Sequence, residues 1–272
     1  LSMVEITKKY KIGTRRFGLI NWVGAWTLYK KEVLRFFNVW IQTLFSPLIS
    51  SLLFLLVLSL AIGTDRGEVL GVPFITFLAP GLISMQVIQQ SFSHSSSSFI
   101  IGKIQGNIVD LLYAPLSASE VTIAISLAAV TRSVMIAVIS IITFMLLIEM
   151  QISNYITLIA FTFLSSFILG NVGIIAGLWS EKFDNMATVT NFIIVPLSFL
   201  SGTFYTIDKL PSFLQTISEF NPFFYMIDGF RYSFIGKADG SITIGLIYLS
   251  ILSVVTWLIT YLLYKKGYKI KS

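Results

Sequence analysis

Between one charged residue and the next, this chain repeatedly runs for more than twenty residues uncharged: 39–64, 69–102, 150–180, 185–207 and 241–264, with a further run at 121–148 broken only by Arg132. A helix crossing the hydrocarbon of a bilayer needs about 20 apolar residues. Runs such as FSPLISSLLFLLVLSLAI and SITIGLIYLSILSVVTWLITYLLY are too long for the buried helix of a soluble domain. Each window holds one span, so the expected fold is all-α integral membrane, with six transmembrane helices in a single domain over 1–272. The chain is 55% apolar and only 12% charged, with mean hydropathy +0.84, where an average soluble domain is about 25% charged. That composition excludes a disordered tail or a coiled coil, and the absence of cysteine excludes a disulfide-stapled secreted domain.

The net charge of +6 fits either nucleic-acid binding or loops that orient a membrane protein, and the positions decide. With the N-terminus inside, the inner segments carry fourteen of the nineteen basic residues: eight before Trp40, Lys103, Lys182 and four after Tyr264. The outer segments carry four, Arg66, Lys209, Arg231 and Lys237. This asymmetry places both termini in the cytoplasm. Twelve of the fourteen lie in the two tails, which suits anionic lipid as a partner and not nucleic acid.

The N-terminal region does not read as a signal peptide: its basic stretch is long, its apolar stretch starts late and no small-residue cleavage site follows. In 17–38 and just beyond, Trp22, Trp26, Tyr29, Val33, Phe36, Phe37 and Trp40 recur at three- and four-residue spacing, with Lys31, Glu32, Arg35 and Asn38 opposite. The spacing predicts an interfacial amphipathic helix with its rings in the acyl boundary and its charges in water; a cytosolic helix packed on a partner is the alternative.

The chain has little with which to do covalent chemistry. It has one histidine, no cysteine, and no Asp or Glu near the middle of any window. His94 reads as a solvated helix-end residue in a serine run, since a metal site needs several converging ligands. A proton- or sodium-driven carrier is disfavoured without an intramembrane carboxylate. No G-x-x-x-x-G-K-[ST] phosphate loop occurs, so energy for uphill transport has to enter from another chain.

Three intramembrane features stand out. Gln86, Gln89, Gln90, Ser93 and Ser97 share one helical face, either as part of a translocation route or as the polar end of a helix emerging into the cytosol. Arg132 lies well inside the third helix, where a charge requires a partner or a wet cavity, or else a side chain reaching the interface. Gly173 and Gly177, with Gly170 one turn earlier, read as a surface for close helix packing. Asn191 joins Gln86, Gln89, Gln90 and Arg132 as a candidate path residue.

The connecting segments are distinctive. In 103–115, Ile104, Ile108, Leu111 and Leu112 form one apolar face ended by Pro115, and Ser117 or Ser119 is placed to cap the next helix. A short turn, 180–185, carries Glu181, Phe183 and Asp184. The segment 204–236 is too apolar for a solvated loop, with Pro211 and Pro222 punctuating it, and predicts a re-entrant outer hairpin before the last helix.

FLAPGLISM, IVDLLYAPLSASE, GLWSEKFDN, FLSGTFYTIDKLP and FNPFFYMIDGFRYSFIG, in that order and over nearly the whole chain, resemble the ABC-2 type permeases, the membrane subunits of ATP-driven exporters. Gly202, Leu210-Pro211, Asn221-Pro222, Tyr225 and Arg231 are similar to the signature that family carries before its last helix. Family members often show glycines around the arginine of helix three, where this chain has Ala128-Ala129-Val130-Thr131-Arg132-Ser133.

The resemblance implies a permease subunit of an ABC exporter in a bacterial inner membrane, a homodimer on a pair of cytoplasmic ATPase subunits. ATP and Mg would be bound there and no cofactor by this chain. It implies a coupling helix over Ile108–Pro115, with Asp110, Leu111 and Leu112 at the contact, and a second contact at Glu181, Phe183 and Asp184. The nearest likeness is to drug, nodulation-factor and polysaccharide exporters, so a lipid-linked glycan or a hydrophobic drug-like molecule is the expected substrate. A passive channel or scaffold without an ATPase is the competing reading. A membrane-embedded transferase is disfavoured by the missing acid and histidine clusters.

Overall fold

The computed structural model describes residues 20–62 and 68–270 and is almost entirely helical. Helix α1, Trp22–Phe37, passes through a π-helical turn at Ile41–Phe45 into α2, Ser46–Ile62. A two-residue hairpin, β1 Glu68–Val69 with β2 Val72–Pro73, turns on Leu70 and Gly71 at φ 54 and 78 and leads into α3, Phe74–Ile104. Then follow α4, Ile108–Tyr113; α5, Ala118–Leu147; and α6, Tyr155–Trp179. The next helix is split by a second π turn at Thr190–Ile194 into α7, Phe183–Val189, and α8, Val195–Leu200. A 3-10 turn at Ile207–Lys209 precedes α9, Ser212–Phe220; α10, Pro222–Ile235; and α11, Ile242–Lys265.

Among the described residues, five helices are long and apolar enough to cross a membrane: Ile41–Ala61, Ala118–Leu147, Tyr155–Trp179, Phe183–Leu200 and Ile242–Lys265. The sixth expected span is α3. Its 31 residues extend about 46 Å at 1.5 Å per residue, enough to cross, but its glutamines, serines and histidine dilute its apolarity. The reason is its position. It packs against α2, α5, α6 and α10, and nineteen of its residues are buried, so neighbours rather than lipid meet its polar groups.

Helix ends follow the local sequence. Ser117 caps α5 in a capping box, its hydroxyl accepting from the Glu120 N–H while the Glu120 carboxylate accepts from the Ser117 N–H at 2.7 Å. The other Glu120 oxygen accepts from the Asn21 N–H at 2.6 Å, and the Asn21 amide donates to the Pro115 carbonyl at 2.9 Å. The start of α1 is thereby tied to the start of α5. Gly236, at φ 72, ends α10 in the left-handed region.

The small-residue surface of α6 is a packing surface, as its spacing predicts. A Cβ at Gly173 would come within 2.5 Å of the Phe92 carbonyl oxygen, and one at Gly177 within 2.9 Å of the Ser96 carbonyl oxygen, both on α3. The alanines beside Arg132 complete it from the other side: a Cβ at Gly170 would stand 3.2 Å from that of Ala129. One glycine, on α6, suffices for close approach there.

Three expectations need correction. Glu32 and Arg35 do not face water. Glu32 is buried and pairs with Arg35 at 2.9 Å, and Arg35 also donates to Ser97 Oγ at 3.1 Å and to the His94 carbonyl at 2.9 Å. Only the Glu32 and Arg35 part of the polar side of α1 is met by α3; Lys31 and Asn38 are exposed, as are Trp22 and Trp26. His94 is fully enclosed, with Glu32 Oε2 3.9 Å from its Nε2 and Phe36 edge-on at 5.8 Å. Arg231, counted as a charge of an outer loop, is buried among α3 and the 201–206 loop. The expected basic stretch before α1, with Arg66 and Lys271, lies outside the described residues.

Candidate functional site

A cavity of about 760 Å³ lies among the end of α1, α2, α3, α5 and α8. From α3 it takes Gln86, Gln89, Gln90, Ser93 and Ser97, and from α5 Arg132, so four of the five candidate path residues come together. Arg132 is fourteen residues beyond Ala118, about 21 Å along its helix, and 7% exposed. It donates to Gln90 Oε1, and its Nε has no hydrogen-bond partner among the described residues. A charge at such depth costs roughly 2.5–3.5 kcal/mol even on permissive insertion scales, which favours a polar, wettable cavity around it.

Asn191 does not belong there. It is exposed, outside the lining, whereas Val195 and Phe199 of the same helix line the cavity. The wider π turn at Thr190–Ile194 shifts the helical face, leaving Thr190 half-buried and Ile194 buried. The opposite wall comes from Gln42, Ser46 and Ser50. Their i, i+4, i+8 spacing was a legible polar stripe at the start of an otherwise apolar span. At the Leu82 end, three rings close together: Phe54 lies 6.2 Å from both Phe199 and Phe204, which are 5.3 Å apart.

The two expected coupling segments lie at one end of the bundle. The Lys103 ammonium donates to the carbonyls of Leu178 and Ser180, the latter at 3.0 Å, joining the end of α3 to the turn after α6. In α4, Ile108 is buried and Leu111 half-buried against the core, while Asp110, Leu112 and Pro115 are exposed. The predicted single apolar face is thus divided: Ile108 and Leu111 face inward, Ile104 and Leu112 outward. In the neighbouring turn Glu181, Phe183 and Asp184 are exposed. Lys269 of the tail reaches Glu181 at 3.1 Å and holds its carboxyl below the usual range.

At the other end, the signature residues knit a loop to the bundle. The Arg231 guanidinium donates to the Gly202 carbonyl at 2.6 Å and the Thr203 carbonyl at 3.4 Å, and lies 3.9 Å from the centre of the Phe77 ring. Gly202 takes φ 78, and Gly81 leaves the space the Thr203 backbone occupies. Asn221 caps α10 through the Phe223 N–H at 3.0 Å and donates to Ser201 Oγ at 2.8 Å. Pro222 opens α10, Pro211 precedes α9, and Tyr225 packs on Tyr248.

A family model for the ABC-2 type transporter matches residues 24–235, from α1 to the end of α10. The chain belongs to the ABC-2 type transporter family. It is 30% identical over 253 residues to the inner membrane transport permease YadH of Escherichia coli K12, covering 93% of this chain and 99% of that one. It is 24% identical over 255 residues to nodulation protein J of Rhizobium leguminosarum bv. viciae, covering 92% and 95%. This ABC-2 chain is a multi-pass membrane subunit of a transporter, and the match includes both ends of the cavity and the two clustered loops.

Asp228 accepts the backbone N–H groups of Asp239 and Gly240 at 3.0 and 2.9 Å. Asp239 beside it is pushed up to about 6, by burial first and then by the Asp228 charge. A carboxyl whose folded pKa lies above its unfolded one disfavours folding when ionised. Stability is therefore gained as pH falls through about 6 and lost as it rises again. The thermal midpoint in detergent should be higher at pH 5.5 than at pH 7.5 by roughly 2–4 °C. Asp239→Asn should flatten that difference; an unchanged pH dependence in the variant would rule the assignment out.

Proposed function

We propose that the protein is the permease subunit of an ATP-driven exporter in a bacterial inner membrane, and that the cavity lined by Arg132, Gln90 and Ser50 is its substrate route. The observation that carries this reading is a polar, arginine-bearing cavity at mid-depth among membrane helices, in a chain with no phosphate-binding loop of its own. On this reading α3 is the sixth span, both termini are cytoplasmic, α1 lies in the inner interface with Trp22 and Trp26 toward lipid, and α9 with its flanks is the re-entrant outer hairpin. The exposed apolar side chains of α9, Phe213, Ile217 and Phe220, support the last point.

ATP and Mg would be held by a separate cytoplasmic ATPase that docks on Asp110, Leu112, Phe183 and Asp184, with Ile108 and Leu111 anchoring the coupling helix from below. Two helices bordering the cavity, Ile41–Ala61 and Phe183–Leu200, have only 28% and 11% of their spanning windows buried. A second copy packed there would complete the route, so a homodimer is the proposed assembly. The expected cargo is a lipid-linked glycan or a hydrophobic drug-like molecule.

Affinity purification of the tagged permease from its own membranes should bring down an ATP-binding subunit. Asp110→Arg with Leu112→Asp should reduce that subunit's recovery at least about tenfold, a loss of about 1.4 kcal/mol of binding. The thermal midpoint should hold because both side chains are exposed. Recovery of no ATPase with the unaltered chain, or equal recovery with the double variant, would defeat the coupling assignment.

A further inference from the structure

The cavity's charge pattern goes beyond naming it as a route. Two guanidiniums line it, from Arg35 and Arg132, and among the described lining residues there is no carboxylate. The two differ in what they face. Arg35 is balanced by Glu32, which lies outside the lining. Arg132 has only the neutral Gln90 oxygen, makes no ion pair among the described residues, and feels the repulsion of Arg35. The contrast with Arg231 is direct, since that guanidinium is met by two backbone carbonyls and an aromatic face. Arg132 is 7% exposed in mid-helix and turns to Gln90 of α3 instead of reaching out to the interface. Gln89 adds a second buried donor, its Nε2, without an acceptor among the described residues. Opposite this cationic, donor-rich end, the cavity is closed by the rings of Phe54, Phe199 and Phe204.

We infer that the cavity takes an amphiphile with an anionic head, a phosphate, sulfate or carboxylate, seated at Arg132 and Gln90, with its apolar body toward Phe54, Phe199 and Phe204. The inference rests on the cavity being the substrate route, and it narrows the cargo to anionic amphiphiles over neutral or cationic ones. A guanidinium held among membrane helices with only a neutral acceptor among the described residues is satisfied by a charge-assisted pair, which a zwitterion meets only in part and a cation opposes.

The chain has no cysteine, so Ser50→Cys places a single environment-sensitive fluorophore on the cavity wall. In phosphatidylcholine nanodiscs the labelled full-length permease is titrated with dodecyl phosphate, dodecylphosphocholine, dodecyltrimethylammonium and inorganic phosphate. The expected result is a response to dodecyl phosphate at concentrations at least about tenfold below the others, about 1.4 kcal/mol. Arg132→Gln should erase that preference and Arg132→Lys keep part of it. Gln86→Glu, which adds a carboxylate to the lining and leaves Arg132 untouched, should erase it even if the arginine variants fail to fold. Equal responses to the three amphiphiles overturn the inference, as does inorganic phosphate matching dodecyl phosphate or a preference surviving Gln86→Glu. No ATPase enters this assay, so anionic selectivity without ATP-driven transport would sink the exporter reading alone, and transport without selectivity would sink this one alone.

Discussion

Arg231→Met should lower the thermal midpoint of the detergent-solubilised permease by about 6–12 °C, the largest single-residue effect expected around the 201–206 loop. The substitution removes two charge-assisted hydrogen bonds to the carbonyls of Gly202 and Thr203 and the stacking on Phe77. Such bonds contribute about 1.5–3 kcal/mol each and leave their acceptors unsatisfied when broken. A loss near 3 kcal/mol, at about 2–4 °C per kcal/mol for a chain of this size, gives the stated range. Arg231→Lys should recover less than half, because a compact ammonium cannot both lie flat on the Phe77 ring and reach the Gly202 and Thr203 carbonyls as one guanidinium nitrogen does. A midpoint within about 1 °C of the parent protein would mean that the 201–206 loop is held by other contacts. The loop also contributes Phe204 to the cavity, so the same variant should loosen the ring cluster.

Gly173→Ala should be nearly as damaging from the opposite side of the bundle. The new methyl would sit 2.5 Å from the Phe92 carbonyl oxygen and 3.1 Å from the Ser95 Cβ. The nearest obstacle is helix backbone, which cannot rotate aside, so α3 and α6 must separate. Overpacking of this kind costs about 1–3 kcal/mol, and Gly173→Val should prevent accumulation of folded permease. Gly102→Ala is the internal comparison: its Cβ would meet Ile108 Cδ1 at 3.7 Å, an ordinary contact, so its midpoint should stay within about 1–2 °C of the parent. If both alanine variants behave alike, close approach of α3 and α6 is not what holds the core.

The two sites show how differently the sequence exposes its constraints. The glycine spacing on α6 could be read as packing because a period of four puts the residues on one helical face, and that face met another helix as expected. Arg231 reads along the chain only as one more basic residue after an apolar hairpin. Its role depends on a partner 28 or 29 residues away in Thr203 and Gly202, and on Phe77 across the bundle, which no local pattern encodes. His94 and Glu32 follow the same rule. Periodicity placed Glu32 in water and the serine run placed His94 there, yet α1 turns against α3, where Glu32 pairs with Arg35 and His94 is enclosed with neither ring nitrogen hydrogen-bonded among the described residues. Asn191 lies outside the cavity lining for a local reason: the π turn at Thr190–Ile194 shifts which residues of that helix face inward.

The amino-acid sequence by itself determined that the chain is a bundle of membrane helices, which segments are long and apolar enough to span, which polar residues of α3 share a face and to which family it belongs. These follow from local physics: length against bilayer thickness, caps, prolines and a 3.6-residue period. Only the tertiary structure decided that Arg132 meets Gln90 beside Gln42, Ser46 and Ser50 in one cavity, that among the described residues Arg35 has a counter-ion and Arg132 has none, and that Leu111 faces inward while Leu112 faces out. Those outcomes depend on which helix covers which face, a choice made by packing among segments distant in sequence, and in a chain so uniformly apolar hydropathy cannot rank the possible neighbours.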